Sequence, residues 1–100
     1  MKSIRTRYYG PTNTKGSKII ASDGDKNSIT ISYPYQLNSD TAHELAAYRL
    51  MEKMDWPNEL NGGEFANDQF WIMLPRVDRS YPPAYKTFFA LLEAMQKLAN

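Results

Sequence analysis

Three short segments near the start of the chain alternate between apolar and polar residues, and this alternation constrains the fold most. Residues 3–9 and 28–33 alternate throughout, and residues 17–21 can turn Ile19 and Ala21 to one side. A period of two is typical of strands with one buried face. Asp23-Gly24 is a hairpin signal before the third segment. The sequence therefore predicts three consecutive antiparallel strands.

A helix is predicted to follow this sheet, from Thr41 to about Asp55. The residues from Thr41 to Glu44, TAHE, fit a capping box, in which the glutamate reaches back to the first amide. Beyond them, apolar residues recur on one face at helical spacing. Pro57 ends the helix, because the residue before a proline is pushed out of the α region.

The second half of the chain is predicted to add one strand and one helix. Residues 57–69 are interpreted as a polar loop, and Phe70–Leu74 as a short buried strand, with a helical turn as the alternative. A proline pair at 82–83 suits the first turn of a helix that runs to about Leu98. The order β-β-β-α-β-α predicts a single α+β domain over residues 1–100. We expect a three- to four-stranded antiparallel sheet with two helices packed on one face.

Composition excludes several classes of site. The 100 residues contain no cysteine, which excludes a disulfide scaffold, a thiolate zinc site and a cysteine nucleophile. The single histidine, His43, excludes a metal site built from several histidines. No apolar run approaches the roughly 18 residues that cross a bilayer, and no signal segment follows the charged start. We expect a cytoplasmic protein without metal, cofactor or membrane.

His43 is the only candidate for a base at neutral pH. It falls in the first turn of the predicted helix, near the apolar face, and no nucleophile can be placed beside it. A packed histidine that donates to a backbone carbonyl is the favoured interpretation. Paired carboxylates such as Asp23 and Asp25 are explained by turns and caps. The sequence therefore predicts no enzyme activity.

Residues 10–17, GPTNTKGS, resemble a phosphate-binding loop at first sight. The P-loop pattern requires a lysine after the second glycine, whereas Lys15 precedes Gly16 here. A hairpin loop is the favoured interpretation, because turns select for glycine, proline and asparagine. The hydrogen-bond donors of this loop remain candidates for binding the phosphate backbone of a nucleic acid without hydrolysing it.

Basic residues are concentrated in the first quarter of the chain. Residues 1–26 contain six basic and two acidic residues, whereas residues 27–100 contain six basic and nine acidic ones. This asymmetry indicates an anionic partner or, alternatively, a solvated sheet kept basic to prevent edge pairing. A sheet face with cations, hydroxyls and an aromatic ring can lie in a DNA major groove or stack exposed bases. The candidate nucleic-acid contacts are Arg5, Arg7, Tyr9, Lys15, Lys18 and Thr30.

The last predicted helix is apolar over more of its circumference than one packed face requires. In one interpretation, the predicted helix from Thr41 to about Asp55 covers these additional apolar residues, through Leu45, Tyr48 and Trp56. In the other, the excess forms a self-association surface, because exposed apolar patches usually mark interfaces. The second interpretation predicts a homodimer. Its candidate interface residues are Phe88, Phe89, Leu91, Leu92 and Met95.

The stretch from Tyr9 to Ile19, YGPTNTKGSKI, resembles the N-terminal signature of small proteins encoded by tailed phages and prophages. Those proteins tend to continue with an alternating strand, an asparagine cap, a helix with paired alanines and a closing tryptophan. The matching residues here are Ile29–Tyr33, Asn38, Ala46-Ala47 and Trp56. The resemblance, which covers roughly residues 4–74, implies a phage or prophage origin and action in the bacterial cytoplasm. It implies no activity.

Three strands followed by an alanine-rich helix are also similar in plan to AP2-type and integrase-arm DNA-binding domains, a likeness of topology alone. The leading prediction is a non-enzymatic phage accessory protein that binds DNA or RNA through its basic sheet face. The alternative is a protein-interaction module, for host-factor binding or counter-defence, that uses the last helix or the 57–69 loop. Salt dependence separates the two, because phosphate contacts release counterions.

Overall fold

The computed structural model describes residues 3–12, 16–65, 68–74 and 83–99. In chain order the elements are β1 (Ser3–Tyr9), β2 (Lys18–Ser22), β3 (Ser28–Ser32), α1 (Ser39–Met54), β4 (Glu59–Phe65), β5 (Asp68–Leu74) and α2 (Ala84–Ala99). The predicted α+β class and the three N-terminal strands are confirmed. Over these described ranges the sheet has five strands instead of three or four. The proline at 82, predicted to open the last helix, lies outside the described residues.

All five strands pair antiparallel in the order β3-β2-β1-β5-β4. The first strand of the chain is therefore the central strand of the sheet, with β2 on one side and β5 on the other. The cations predicted on β1 consequently lie in the middle of a sheet face, and not at its edge.

The prediction that residues 57–69 form a loop is wrong. Glu59–Phe65 forms β4, which pairs with β5 from Glu59 opposite Leu74 to Phe65 opposite Asp68. Gly62 lies opposite Trp71 in this ladder. A Cβ at Gly62 would meet the carbonyl oxygen of Phe70. The glycine that suggested a loop instead permits a close approach between two strand backbones.

Helix α1 covers one face of the sheet, which we call the inner face, and contacts β1, β2 and β3. The contact residues on the helix include Ala42, Ala46 and Ala47, all fully buried. Such small side chains let the helix axis lie close to the sheet, so the core is thin. The predicted capping box at Thr41 is wrong by three residues, because the side chain of Asn38 caps the helix by accepting from the amide of Thr41 at 2.8 Å.

Helix α2 packs mainly on α1, through aromatic side chains. The rings of Tyr48 and Phe88 stack with centroids 4.6 Å apart, and the Arg49 guanidinium lies 4.1 Å from the Phe89 centroid. The hydroxyl of Tyr85 donates to Asp55 at the end of α1. Within the described residues, neither helix is long and apolar enough to span a membrane.

Candidate nucleic-acid interface

The outer face of the sheet, opposite α1, carries the predicted cations. Strand alternation turns Ile4 and Thr6 toward the helix and Arg5, Arg7 and Tyr9 the other way. Tyr9 is 39% exposed on this side. Three of the predicted contact residues therefore share one accessible surface.

The strand register adds two further predicted residues to the same face. Lys18 lies opposite Tyr9, and its ammonium is 5.7 Å from the centroid of the tyrosine ring. Thr30 on β3 lies opposite Ile20 on β2, and Ile20 lies opposite Arg7 on β1, so Thr30 is on the same face as Arg7. A lysine over an aromatic face is a weak cation–π contact that leaves the ammonium hydrated. The sixth predicted residue, Lys15, lies outside the described residues.

Asp68, which the sequence reasoning did not single out, lies within this basic surface. Arg7 donates from Nε to Oδ1 of Asp68 at 2.8 Å and from Nη2 to Oδ2 at 2.9 Å, and the Nε of Arg5 lies 3.9 Å from Oδ2. Two parallel hydrogen bonds of this kind are the strongest form of arginine–carboxylate pair. One of the predicted phosphate contacts is therefore already held by a carboxylate.

Electrostatics keep both members of this pair charged. The hydrogen bond from Arg7 holds the pKa of Asp68 below its ordinary value, against the opposing effect of desolvation. The Asp68 carboxylate, with a smaller contribution from Tyr9, raises the pKa of Arg7 above its ordinary value. The carboxylate thus remains ionised at neutral pH and cancels one positive charge at the centre of the face.

Strand β5 also brings apolar side chains to the outer face. The strand prediction for Phe70–Leu74 is confirmed, but its complete burial is wrong: Trp71 and Met73 are buried, whereas Phe70 and Ile72 are 38% and 45% exposed. Phe70 lies opposite Arg5. An aromatic ring and a cation are therefore neighbours at a second place on the face.

The missed residues carried only a weak sequence signal. Asp68 falls within the predicted 57–69 loop, and Phe70 opens the run that was predicted as a short buried strand. To place Asp68 and Phe70 on the outer face, one must know that β5 pairs with β1, with Asp68 opposite Arg7. The DQ dipeptide before the apolar run was the available clue, because a polar residue can start a strand whose outer side is accessible.

A buried polar cluster joins the central strands to α1 beneath this face. The indole of Trp71 donates to the Thr6 hydroxyl oxygen at 3.1 Å, and Nδ1 of His43 lies 2.7 Å from the same atom. Thr6 and His43 are both buried. The packed position predicted for His43 is confirmed, with a threonine hydroxyl at Nδ1. Within the described ranges, no three acidic or histidine side chains are grouped as a metal ion would require.

The predicted interface residues on α2 fall into two groups. Phe88 and Phe89 are half-buried against α1, and Leu92 is half-buried as well. Leu91 and Met95 are 62% and 64% exposed. Helix α1 therefore covers Phe88 through Tyr48, which one interpretation predicted, and Phe89 through Arg49. Leu91 and Met95 remain as an exposed apolar strip on α2.

Chemically, the outer face offers guanidinium and ammonium donors near aromatic rings, with the carboxylate of Asp68 beside Arg7. Such a surface can bind phosphates and the flat faces of bases. Comparison of the chain with protein-family models, curated proteins and solved structures gave no match.

Proposed function

We propose that the protein binds nucleic acid through the outer sheet face. One observation carries the proposal: Arg5 lies beside Phe70 and Lys18 beside Tyr9, so two cation–aromatic pairs occupy one accessible face. The cations can neutralise phosphates, and the rings can contact bases. A non-enzymatic accessory role belongs to this proposal, and the resemblance of residues 9–19 supports only its phage or prophage origin and its place of action in the bacterial cytoplasm.

The two pairs contribute differently from Arg7. Arg7 gives two of its donors to Asp68, whereas Arg5 approaches that carboxylate only at 3.9 Å and Lys18 lies over a ring. To bind a phosphate, Arg7 would have to give up its two hydrogen bonds to Asp68, so the net gain in binding free energy would be small. Arg5 and Lys18 are therefore the residues on which phosphate binding should depend.

Replacing both Arg5 and Lys18 by alanine is expected to weaken binding of labelled oligonucleotides. The slope of log affinity against log salt should flatten by about 0.7–0.9 for each lost phosphate contact. Fluorescence anisotropy across a salt series measures both quantities. The matched control is Lys26→Ala plus Lys86→Ala, which removes the same charge from an exposed turn and from α2. Wild-type protein that binds neither DNA nor RNA at low salt, or a control that behaves like the test variant, would contradict the proposal.

A second proposal concerns the alternative function, interaction with another protein. The exposure of Leu91 and Met95 favours the last helix as its surface, with a second copy of the chain as the partner. Burying a large apolar side chain contributes about 1.5–3 kcal/mol, and twofold pairing is the commonest outcome for a self-complementary surface. The 57–69 segment is less suited to this role, because β4 and the start of β5 occupy it.

Light scattering at high micromolar concentration should then give twice the monomer mass of 11.5 kDa. Leu91→Lys plus Met95→Lys should return the monomer, because a paired surface would bury the new charges. Lys86→Glu, on the exposed side of the first turns of α2, is the control for a change of charge alone. A monomer mass for the wild-type protein at this concentration would contradict the second proposal.

A further inference from the structure

We infer that the ligand of the outer face is a single strand of nucleic acid whose bases stack on Phe70 and Tyr9, and not a duplex. The inference rests on the proposed function and specifies its substrate. It is carried by the width of the sheet, by the placement of the two rings, and by the position of Asp68.

At Arg5 and Phe70, where five strands lie side by side, the sheet is too wide to enter a groove of duplex DNA. Five strands in one sheet place four inter-strand gaps of about 4.8 Å side by side, a span of about 19 Å. The major groove of B-DNA is about 12 Å wide and admits a helix or a two-stranded ribbon, and the minor groove is narrower. Phe70 is on β5 and Arg5 on β1, both internal strands. The flanking strands would strike the phosphate ridges before these side chains reached base edges.

The placement of the rings matches separated bases. Phe70 lies opposite Arg5, and Tyr9 is four residues further along β1, or about 13 Å at the rise of a strand. Bases in a duplex stack about every 3.4 Å and cover one another's faces. Only a strand with unstacked bases can present one flat face to each ring. The backbone between those two bases would pass over Arg7.

The charge of the face points the same way. Asp68 holds Arg7 midway between the two rings, so the positive charge that remains is at Arg5 and Lys18, one beside each ring. A duplex carries one phosphate charge for about every 1.7 Å of axis and would bring several close to the carboxylate. A single strand can place a phosphate near each outer cation. With few phosphate contacts available, stacking must supply most of the affinity.

The test compares oligothymidylate and oligouridylate strands of about twelve nucleotides with the thymidylate strand annealed to oligoadenylate. Phe70→Leu keeps an apolar side chain but removes the aromatic face, and should weaken single-strand binding about five- to 150-fold with an unchanged salt slope. Tyr9→Leu should act in the same direction, and Phe70→Trp should retain binding. Ile72→Ala is the matched control, because Ile72 is exposed on the same face and strand without a ring.

The outcomes separate this inference from the proposed function. Tighter binding of single strands than of the duplex, lost in Phe70→Leu and kept in Ile72→Ala, supports both. Equal affinity for the duplex, or wild-type affinity of Phe70→Leu, overturns the single-strand inference and leaves nucleic-acid binding standing. Absence of binding by every oligonucleotide at low salt overturns both.

Discussion

Replacing Thr6 by valine is expected to lower the free energy of unfolding by about 2–6 kcal/mol. The Thr6 hydroxyl is fully buried, accepts from the Trp71 indole at 3.1 Å and lies 2.7 Å from Nδ1 of His43. Valine keeps the shape but leaves both partners buried without this hydrogen bond, at a cost of about 1–3 kcal/mol for each group. Chemical denaturation followed by circular dichroism measures the change.

Two further variants isolate the hydroxyl. Thr6→Ser retains it and removes one methyl group, so a loss of about 1 kcal/mol is expected. Thr30→Val makes the same chemical change at an exposed position of β3 and should be nearly neutral. If Thr6→Val proved as stable as wild type, or no less stable than Thr6→Ser, the hydroxyl would not be what anchors the indole and the imidazole.

This cluster also shows where sequence reasoning reaches its limit. The alternation of residues 3–9 places Ile4 and Thr6 on the same side, which the structure confirms. A period-two pattern predicts which side chains share a face of a strand, because the strand backbone alone sets that alternation. Which strand lies beside β1 is a different question. The pairing of β1 with β5 joins residues more than sixty positions apart, and no local pattern encodes it.

The candidate site was therefore predictable only in part. Arg5, Arg7, Tyr9, Lys18 and Thr30 belong to the three N-terminal strands, and their common face follows from local alternation and hairpin register. Asp68 and Phe70 are placed on this face by the long-range pairing of β1 with β5, and they change its chemistry. Asp68 neutralises a cation, and Phe70 adds an exposed ring. A basic surface predicted from one part of a sheet remains incomplete until its neighbouring strands are known.

The pairing of β4 with β5 explains why the polar segment before β5 misled the prediction, and Gly62 tests that explanation. Gly62→Ala is expected to cost about 3 kcal/mol or more of unfolding free energy, the upper end of the range for overpacking. The added Cβ would meet the carbonyl oxygen of Phe70 and lie 2.8 Å from the Cα of Trp71. Backbone atoms of a paired internal strand cannot rotate away as a side-chain tip can, so β4 must move off β5.

The measurement for Gly62→Ala is therefore twofold: the denaturation midpoint and amide hydrogen exchange along β4 and β5. Exchange resolves the case in which β4 detaches while the remaining sheet stays folded, because local opening raises exchange only in the affected strands. Gly16→Ala is the control, since a Cβ there has no heavy atom within 4 Å and the substitution should be neutral or slightly stabilising. Unchanged midpoint and unchanged exchange in Gly62→Ala would mean that β4 does not approach β5 this closely. The glycine would then mark a flexible connection, as the composition of residues 57–69 first indicated.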